Sequence, residues 1–272
     1  MKILFNTMLG IGIILLGINI FGLFKTMRNP EIYTEEYRIR NRLNDVMIPY
    51  SALKEILKKK AGESDIEFAY RINGVVHDAM AHYWKKEGTD KYYLRVPVWE
   101  NYLLYAASYI NPKRYERYEF SACNWKKNLE RGAGLCSAHS IVLNGVMREN
   151  GIKAELLDVG KRHVVSRVEF NKNTAYIFDP DFGIAVPYDT AAITANPELV
   201  RGPYENMADL YYPDAVDPYT TDLIVKIFGR RKHIYEVNNP FEHFSYWAKW
   251  LIPLLLILPF CYRNRNFLGK KS

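Results

Sequence analysis

The chain has 272 residues, of which 49% are hydrophobic, 14% aromatic and 25% charged, and its mean hydropathy is −0.24. This composition excludes wholesale disorder, a collagen-like repeat and a bundle of many membrane-spanning helices. The three cysteines, Cys123, Cys136 and Cys261, are too few and too scattered for a disulfide scaffold or a zinc site made of cysteines alone.

The net charge of +7 comes from the two ends of the chain. Residues 1–25 and 244–272 together hold seven Lys and Arg residues and no Asp or Glu, which leaves 30 bases and 30 acids in the middle. Positive charge beside apolar segments is typical of membrane proteins. A neutral middle offers no basic surface for a phosphate backbone, so we expect no nucleic-acid partner.

Residues 1–25 are predicted to form an N-terminal transmembrane anchor. The run from Ile3 to Phe24 has 22 residues, of which three are polar. At about 1.5 Å per residue, a helix of this length crosses a hydrocarbon core of roughly 30 Å. The run is longer than the apolar part of a signal peptide, and no small-x-small cleavage site follows it, which favours an uncleaved anchor.

Residues 244–263 form a second, weaker apolar segment, which we expect to be another transmembrane helix. Pro253 and Pro259 leave a re-entrant or interfacial helix open as the alternative. The tail, residues 264–272, contains bases and no acids, so the positive-inside rule predicts a cytoplasmic tail. With two spans in a membrane, the middle of the chain is then extracytoplasmic.

The middle is predicted to be one domain, with a helical part at 26–117, a catalytic core at 118–190 and a C-terminal extension at 191–243. Apolar spacing and end signals predict helices at Ser64–Trp84, opened by a capping box with Glu67, at Val98–Ile110 and at Ser137–Asn150. Strand-like runs follow at Ala154–Val159, His163–Phe170, Thr174–Phe178 and His233–Val237. Helices followed by antiparallel strands predict an α+β fold.

Cys136 is the first candidate for chemistry. It follows Gly132 and Gly134 and directly precedes a predicted helix, so its sulfur is expected at a helix N-terminus. The partial positive charge there favours thiolate over thiol, and the N–H groups of the first turn could bind an oxyanion. A lone cysteine is also often a small buried hydrophobe, and that alternative stays open at this point.

A predicted hairpin brings an imidazole beside a carboxylate. The turn Asn171–Asn173 joins two strand-like runs, and positions equally distant from a turn face each other. His163 then faces Asp179, Asp181 or the residue between them, and both aspartates lie on one face of their strand. A carboxylate on one ring nitrogen fixes the tautomer and supports the imidazolium that activates a thiol.

Other histidines offer weaker alternatives. His139 is a rival base, because it lies three residues after Cys136 on the same helix, but no orienting acid is evident for it. His77 and His82 lack the i,i+4 pair and the accompanying ligand of a zinc helix and are assigned no chemistry. The sequence has no Gly-rich phosphate loop, and a thiolate nucleophile needs no metal. We therefore expect no cofactor and no metal site.

Several features resemble the transglutaminase-like (papain-like cysteine) superfamily in their order along the chain: Gly134-Leu135-Cys136, a helix ending in Arg148–Ala154, the strand with His163, and Phe178-Asp179-Pro180. The resemblance covers about residues 97–185. It implies a core in which a nucleophile helix packs on an antiparallel sheet. It also implies Cys136 as nucleophile, His163 as general base and acid, and Asp179 as orienting acid. Val164-Val165 stand where the family commonly has an aromatic, and Asp181 competes for the third role.

The expected function is that of a membrane-anchored, cysteine-dependent amide or ester hydrolase or acyltransferase that works through an acyl-thioester. Expected partners are a peptide, protein or cell-envelope amide substrate and the lipid bilayer. The alternative is a non-catalytic transglutaminase-like scaffold in a membrane-associated envelope or polysaccharide assembly. That alternative predicts a buried Cys136 or a distant His163. Hydrolysis or transfer, and the oligomeric state, stay open.

Overall fold

The structure is a computed structural model, and it describes residues 2–34, 46–82, 88–110, 123–160, 163–205, 220–230 and 232–268. These residues form a mixed α+β structure, which confirms the predicted fold class at that level. Trp84, where the first helix of the middle is predicted to end, and residues 269–272 of the basic tail lie outside the described residues. Contacts divide the chain into two compact units.

Within the described residues the helices are α1 (Lys2–Gly22), α2 (Tyr50–Ile56), α3 (Asp65–Ala79), α4 (Val98–Ile110), α5 (Trp125–Arg131), α6 (Cys136–Glu149), α7 (Thr190–Ala195), α8 (Arg201–Tyr204), α9 (Thr221–Phe228) and α10 (Pro240–Leu268). The strands are β1 (Ala81–His82), β2 (Ala133–Gly134), β3 (Lys153–Gly160), β4 (His163–Asn171), β5 (Thr174–Asp179), β6 (Ile184–Val186) and β7 (His233–Tyr235). Short 3-10 turns lie at Pro30–Tyr33 and Pro197–Val200.

The first unit consists of Met1–Met27, Arg95–Glu119 and Asn238–Ser272, and its helices α1, α4 and α10 pack on one another. Helices α1 and α10 approach closely at Gly12, where a Cβ atom would lie 3.0 Å from the carbonyl oxygen of Pro253. The α4 segment, predicted as part of the helical portion of the middle domain, packs here with the two chain ends. The predicted core face is wrong, because the buried residues of α4 are Glu100, Asn101, Leu104 and Ser108. The predicted apolar stripe stays partly or fully exposed: Trp99, Tyr102, Leu103, Ala106, Ala107 and Ile110.

Helices α1 and α10 are long and apolar enough to cross a membrane. The span Ile3–Gly22 has a mean hydropathy of 2.1, and the span Pro240–Arg263 has one of 1.5. Only 11% and 17% of their most apolar stretches are buried within the protein, so most of these side chains face outwards. The second helix begins at Pro240 rather than Phe244 and continues through both internal prolines. Hydrocarbon solvates such a surface better than water does.

The second unit, Arg28–Leu94 and Phe120–Val237, is built on an antiparallel sheet whose described strands have the order β6-β5-β4-β3-β7. Helices α3 and α6 cover one face of the sheet, and α9 lies on the other. Side chains alternate along a strand, so β4 supplies Val168 to the first layer and Val165 to the second. The core of this unit therefore lies on both sides of the sheet.

Helix α3 opens with the predicted capping box of Ser64 and Glu67. It ends at Ala79 rather than at the predicted Trp84, because the next residues form β1, which pairs in parallel with β2. The N–H of Ala81 donates to the carbonyl group just before β2 at 2.8 Å. A backbone donor used in this non-local pairing is no longer available to a helix.

Strands β4 and β5 form the predicted antiparallel hairpin. Ser166 pairs with Phe178 and Glu169 with Ala175, with an irregularity next to the turn. Strand β3 pairs along the other side of β4. His163 and Asp179 are thereby the first residue of β4 and the last residue of β5, at the same end of the hairpin.

Candidate active site

Cys136 begins α6 and is 7% exposed. The chain segment that leads to Cys136 requires glycine at position 132. Gly132 has a φ of +70°, and a Cβ atom on it would lie 2.5 Å from Cζ of Arg28. Strand β2 follows and leads directly into the helix. The sulfur therefore lies where the helix dipole and the N–H groups of the first turn favour a negative charge.

His163 and Asp179 form a buried pair. His163 Nε2 lies 2.6 Å from Asp179 Oδ2, and the two residues are 2% and 1% exposed. The pairing of Ser166 with Phe178 places Asp179 diagonally across from His163, within reach of an imidazole. The carboxylate that hydrogen-bonds the His163 ring is therefore that of Asp179.

Further donors hold the Asp179 carboxylate in place. The Tyr204 hydroxyl donates to Oδ2 at 2.7 Å, and the N–H of Phe182 donates to Oδ1 at 3.4 Å. The Phe182 ring also packs on the His163 ring, with 5.2 Å between centroids. Because carboxylate and imidazole are both confined, the orientation of the His163 ring is fixed by its surroundings.

His163 also hydrogen-bonds the Cys136 side chain. Nε2 of His163 hydrogen-bonds Asp179, so Nδ1 is the ring nitrogen that is available to hydrogen-bond the sulfur. Burial by itself lowers the pKa of His163, but the charges and hydrogen bonds of Asp179 and Cys136 outweigh burial and raise this pKa well above its usual value. The surroundings of His163 therefore favour its protonated form relative to a free histidine.

Asp181 is a second buried aspartate, and it binds a different histidine. His82 Nδ1 lies 2.8 Å from both carboxylate oxygens, and His139 Nδ1 lies 3.5 Å from Oδ1. Burial alone raises the pKa of Asp181, but the charges of the surrounding histidines, His82 foremost, outweigh burial and hold this pKa well below its usual range. A carboxylate anion is therefore within 4.8 Å of the Cys136 sulfur.

His139, the rival base, is completely buried. Its Nδ1 lies 3.0 Å from the carbonyl oxygen of Leu135, and its Nε2 lies 3.3 Å from that of Met80. Burial lowers the pKa of His139 and outweighs its polar neighbours. This ring joins the residue before the sulfur to the end of α3, which is a supporting position.

Three residues contact or face the site although their sequence context does not predict it: His82, Tyr204 and Tyr235. His82 follows the end of a helix, and Tyr204 lies in a segment without a periodic pattern, so no local signal marks either residue. Tyr235 lies on the predicted strand His233–Val237, but that prediction does not place it near Cys136. Burial raises the pKa of Tyr235, and the charge of Cys136 adds to this effect.

A cavity of ≈ 350 Å³ adjoins the cluster of side chains around Cys136. The cluster residues that also line the cavity are Trp125, Ile141, Leu156, Tyr235 and Val237. A larger cavity of ≈ 790 Å³ shares Trp125 and Glu149 with the first, but its other lining residues lie outside the Cys136 cluster. Of these two cavities, the smaller one shares more side chains with the Cys136 cluster, although Cys136 itself does not line it.

The described residues also contain one group that could hold a metal ion. Ligand atoms of Cys136, His163 and Asp181 lie within 4.8 Å of one another. A tetrahedral zinc ion with bonds of about 2.0–2.3 Å needs ligand atoms roughly 3.5 Å apart. An ion held there would occupy the sulfur rather than leave it free to attack a carbonyl.

Comparison with protein-family models, with curated proteins and with solved structures finds no match to this chain. The likeness to the transglutaminase-like superfamily therefore depends on motif order alone. The structure itself has an α+β fold in which buried Cys136, His163 and Asp181 lie close together, with Asp179 bonded to the His163 ring.

Proposed function

We propose that the protein is a membrane-anchored, cysteine-dependent enzyme of the transglutaminase-like type, which hydrolyses or transfers the acyl group of an amide or ester. The observation that carries this proposal is the buried chain of contacts from Cys136 through His163 to Asp179. Cys136 is the nucleophile and His163 the general acid and base. Asp179 positions the His163 ring and supports its charge.

The first half of the reaction forms an acyl-thioester. The thiolate of Cys136 attacks the carbonyl carbon, a C–S bond forms, and the C=O electron pair moves to oxygen. The N–H groups in the first turn of α6 stabilise this oxyanion. His163 then gives its Nδ1 proton to the leaving nitrogen or oxygen as the C–N or C–O bond breaks, and the imidazole becomes neutral.

The second half regenerates the enzyme. His163 takes a proton from water as the water oxygen attacks the thioester carbon. The C–S bond breaks, the acid leaves, and the sulfur is again a thiolate beside a protonated His163. An amine in place of water gives transfer. We favour hydrolysis, because water needs no binding site of its own.

The apolar helices α1 and α10 anchor the enzyme in this proposal. The positive-inside rule, applied to the basic C-terminal tail, supports cytoplasmic chain ends and an extracytoplasmic second unit, where peptide or other amide groups of the cell envelope would be the substrates. A reporter that is active only in the cytoplasm, fused after Ser272, tests this topology. We expect an active reporter, and an inactive one would overturn the topology without affecting the chemistry.

The chemistry is tested by alkylation of Cys136 with iodoacetamide in the full-length protein, followed by mass spectrometry. At about pH 5.5 a free cysteine is only about 0.1% thiolate, whereas a thiolate paired with an imidazolium is largely ionised. We expect Cys136 to react about 100-fold faster than N-acetylcysteine, and His163→Ala to remove most of this difference. The exposed His233 offers a matched control, since His233→Ala leaves the rate unchanged.

A non-catalytic scaffold is the second candidate, and one observation favours it: Cys136 is only 7% exposed. Buried structural cysteines are inert. Under this alternative, Cys136 reacts no faster than N-acetylcysteine, and the wild-type protein and His163→Ala react at the same rate. That result would remove the enzyme proposal.

A further inference from the structure

The cavity that adjoins the side chains packed around Cys136 does not itself include the sulfur in its lining. It is lined by Cys123, Trp125, Ile141, Asn144, Gly145, Arg148, Glu149, Leu156, Tyr235, Glu236 and Val237. Among these, the apolar and aromatic side chains are the ones that also pack around Cys136. An apolar group that enters the cavity is therefore in contact with the same side chains as the nucleophile.

Asn144 gives this apolar cavity a polar group. It is 3% exposed, and neither its amide nitrogen nor its amide oxygen has a hydrogen-bond partner in the described part of the chain. A buried amide without partners is costly and unusual in a native protein. A ligand that brings both a donor and an acceptor would satisfy it.

Helix geometry sets the distance between this amide and the sulfur. Asn144 lies eight residues after Cys136 on α6, which is about 12 Å along the helix axis. An extended peptide covers that distance with about four residues. A peptide whose carbonyl carbon is at the sulfur thus brings a nearby peptide group of its own to Asn144.

Trp125 can line the cavity because Gly145 has no side chain. A Cβ atom on Gly145 would lie 2.1 Å from Trp125 Cγ, so the indole ring rests directly on the helix backbone next to Asn144. The aromatic surface and the amide are consequently side by side. This combination suits a large apolar side chain followed by a peptide group, whereas a hydrocarbon chain leaves the amide unsatisfied.

We propose that this cavity binds the peptide part of the acyl donor, with a large apolar side chain between Trp125 and Tyr235 and a peptide amide on Asn144. The inference rests on the proposed function, because it assumes that Cys136 attacks the donor. It adds the substrate class, which is a peptide whose large apolar residue lies about three residues before the one that carries the reacting carbonyl.

The test compares alkylating agents on the full-length protein. Iodoacetamide reports the reactivity of Cys136 itself. Acetyl-phenylalanyl-alanyl-alanyl-alanine chloromethyl ketone adds a peptide of about four residues, long enough to reach Asn144, with an apolar side chain at its far end. An alkyl chloromethyl ketone of equal length lacks the amides. We expect the peptide reagent to label Cys136 about tenfold faster than the alkyl reagent. We expect Asn144→Leu to remove this advantage and to leave the iodoacetamide rate unchanged.

Asn73 provides the matched control. It is another buried asparagine of the same unit whose amide oxygen has no partner among the described residues, and it does not line the cavity. Asn73→Leu should keep the preference for the peptide reagent. Asn144→Ala is the second variant for Asn144, because it adds no volume to the core, and it should give the same loss.

The outcomes separate the two proposals. If iodoacetamide labels Cys136 rapidly but the alkyl reagent is as fast as the peptide, or if Asn144→Leu and Asn144→Ala leave the peptide preference intact, the substrate inference is wrong and the enzyme proposal stands. If no reagent labels Cys136 faster than N-acetylcysteine, both proposals fall together.

Discussion

Asp179 and Asp181 lie two residues apart, both are buried, and each contacts a histidine at hydrogen-bond distance. Asp179 contacts His163, whose ring also hydrogen-bonds the sulfur of Cys136. Asp181 contacts His82, which lies on a separate short strand. The two pairs therefore differ in what lies on the other side of the histidine, and for His163 that neighbour is the sulfur of Cys136.

Asp181→Asn is expected to have the largest effect, and that effect is a loss of stability. The change replaces a buried carboxylate that hydrogen-bonds His82, and losing a hydrogen bond to a charged group costs about 1.5–3 kcal/mol. We expect the free energy of unfolding to fall by about 2–3 kcal/mol in denaturant titrations, while iodoacetamide labelling of Cys136 in the folded protein changes less than about fivefold. A loss of labelling rate well beyond fivefold would show that Asp181 belongs with the residues that activate Cys136.

Asp179→Asn is expected to do the reverse. An amide does not stabilise the imidazolium of His163, so the thiolate of Cys136 loses its counter-charge. We expect labelling at about pH 5.5 to slow about 30-fold, with a smaller change in stability than Asp181→Asn causes. Labelling at the wild-type rate would show that the carboxylate on the His163 ring is unimportant.

The pH dependence of stability should separate the two pairs by sign. The pKa of His163 is raised, so its stabilisation is complete below about pH 6.5 and is lost as pH rises through the folded pKa. The pKa of Asp181 is lowered, so its stabilisation is present above about pH 3.9 and is lost as pH falls towards the folded pKa.

Melting temperatures across the pH range test these signs. His163→Gln should flatten the decline on the alkaline side, and Asp181→Asn should flatten the decline on the acidic side. Each pKa unit corresponds to about 1.4 kcal/mol. Variants that flatten the opposite limbs, or neither limb, would contradict the assignment of charges to the two pairs.

Tyr204→Phe is expected to have the smallest effect. It removes one hydrogen bond to Asp179 and no charge, which corresponds to about 1 kcal/mol, or roughly a fivefold slower labelling of Cys136. The exposed Tyr188 offers a matched control, since Tyr188→Phe should change nothing. If the two variants label alike, Tyr204 does not position Asp179.

Local patterns were enough for the elements that carry the reactive side chains. The turn after β4 sets the hairpin register, and this register brings a carboxylate to the His163 ring. The start of α6 at Cys136 follows from the glycines before it. Its end follows from Asn150 and from Gly151, which takes a φ of +75°.

Non-local contacts were beyond local patterns. His82 reaches Asp181 because β1 pairs with β2, and a parallel pairing of two residues leaves no periodic signal. The apolar stripe of α4 wrongly predicts its buried face, because α4 instead buries Glu100, Asn101, Leu104 and Ser108, and Asn101 donates to Ser245 of α10. The alternation of side chains along a strand predicts that Asp179 and Asp181 lie on the same face. It does not predict which of them contacts His163, because that depends on where β5 ends, at Asp179.

The most direct test of the central claim, that the Cys136 sulfur and the His163 ring form an ion pair, is the ultraviolet absorbance of the thiolate. The absorbance difference between the wild-type protein and Cys136→Ser, followed across the pH range, reports the ionisation of this sulfur. We expect a thiolate signal already present at about pH 5.5, which His163→Ala abolishes at that pH. A signal that is absent below about pH 7 and titrates identically in the wild-type protein and His163→Ala would contradict the claim.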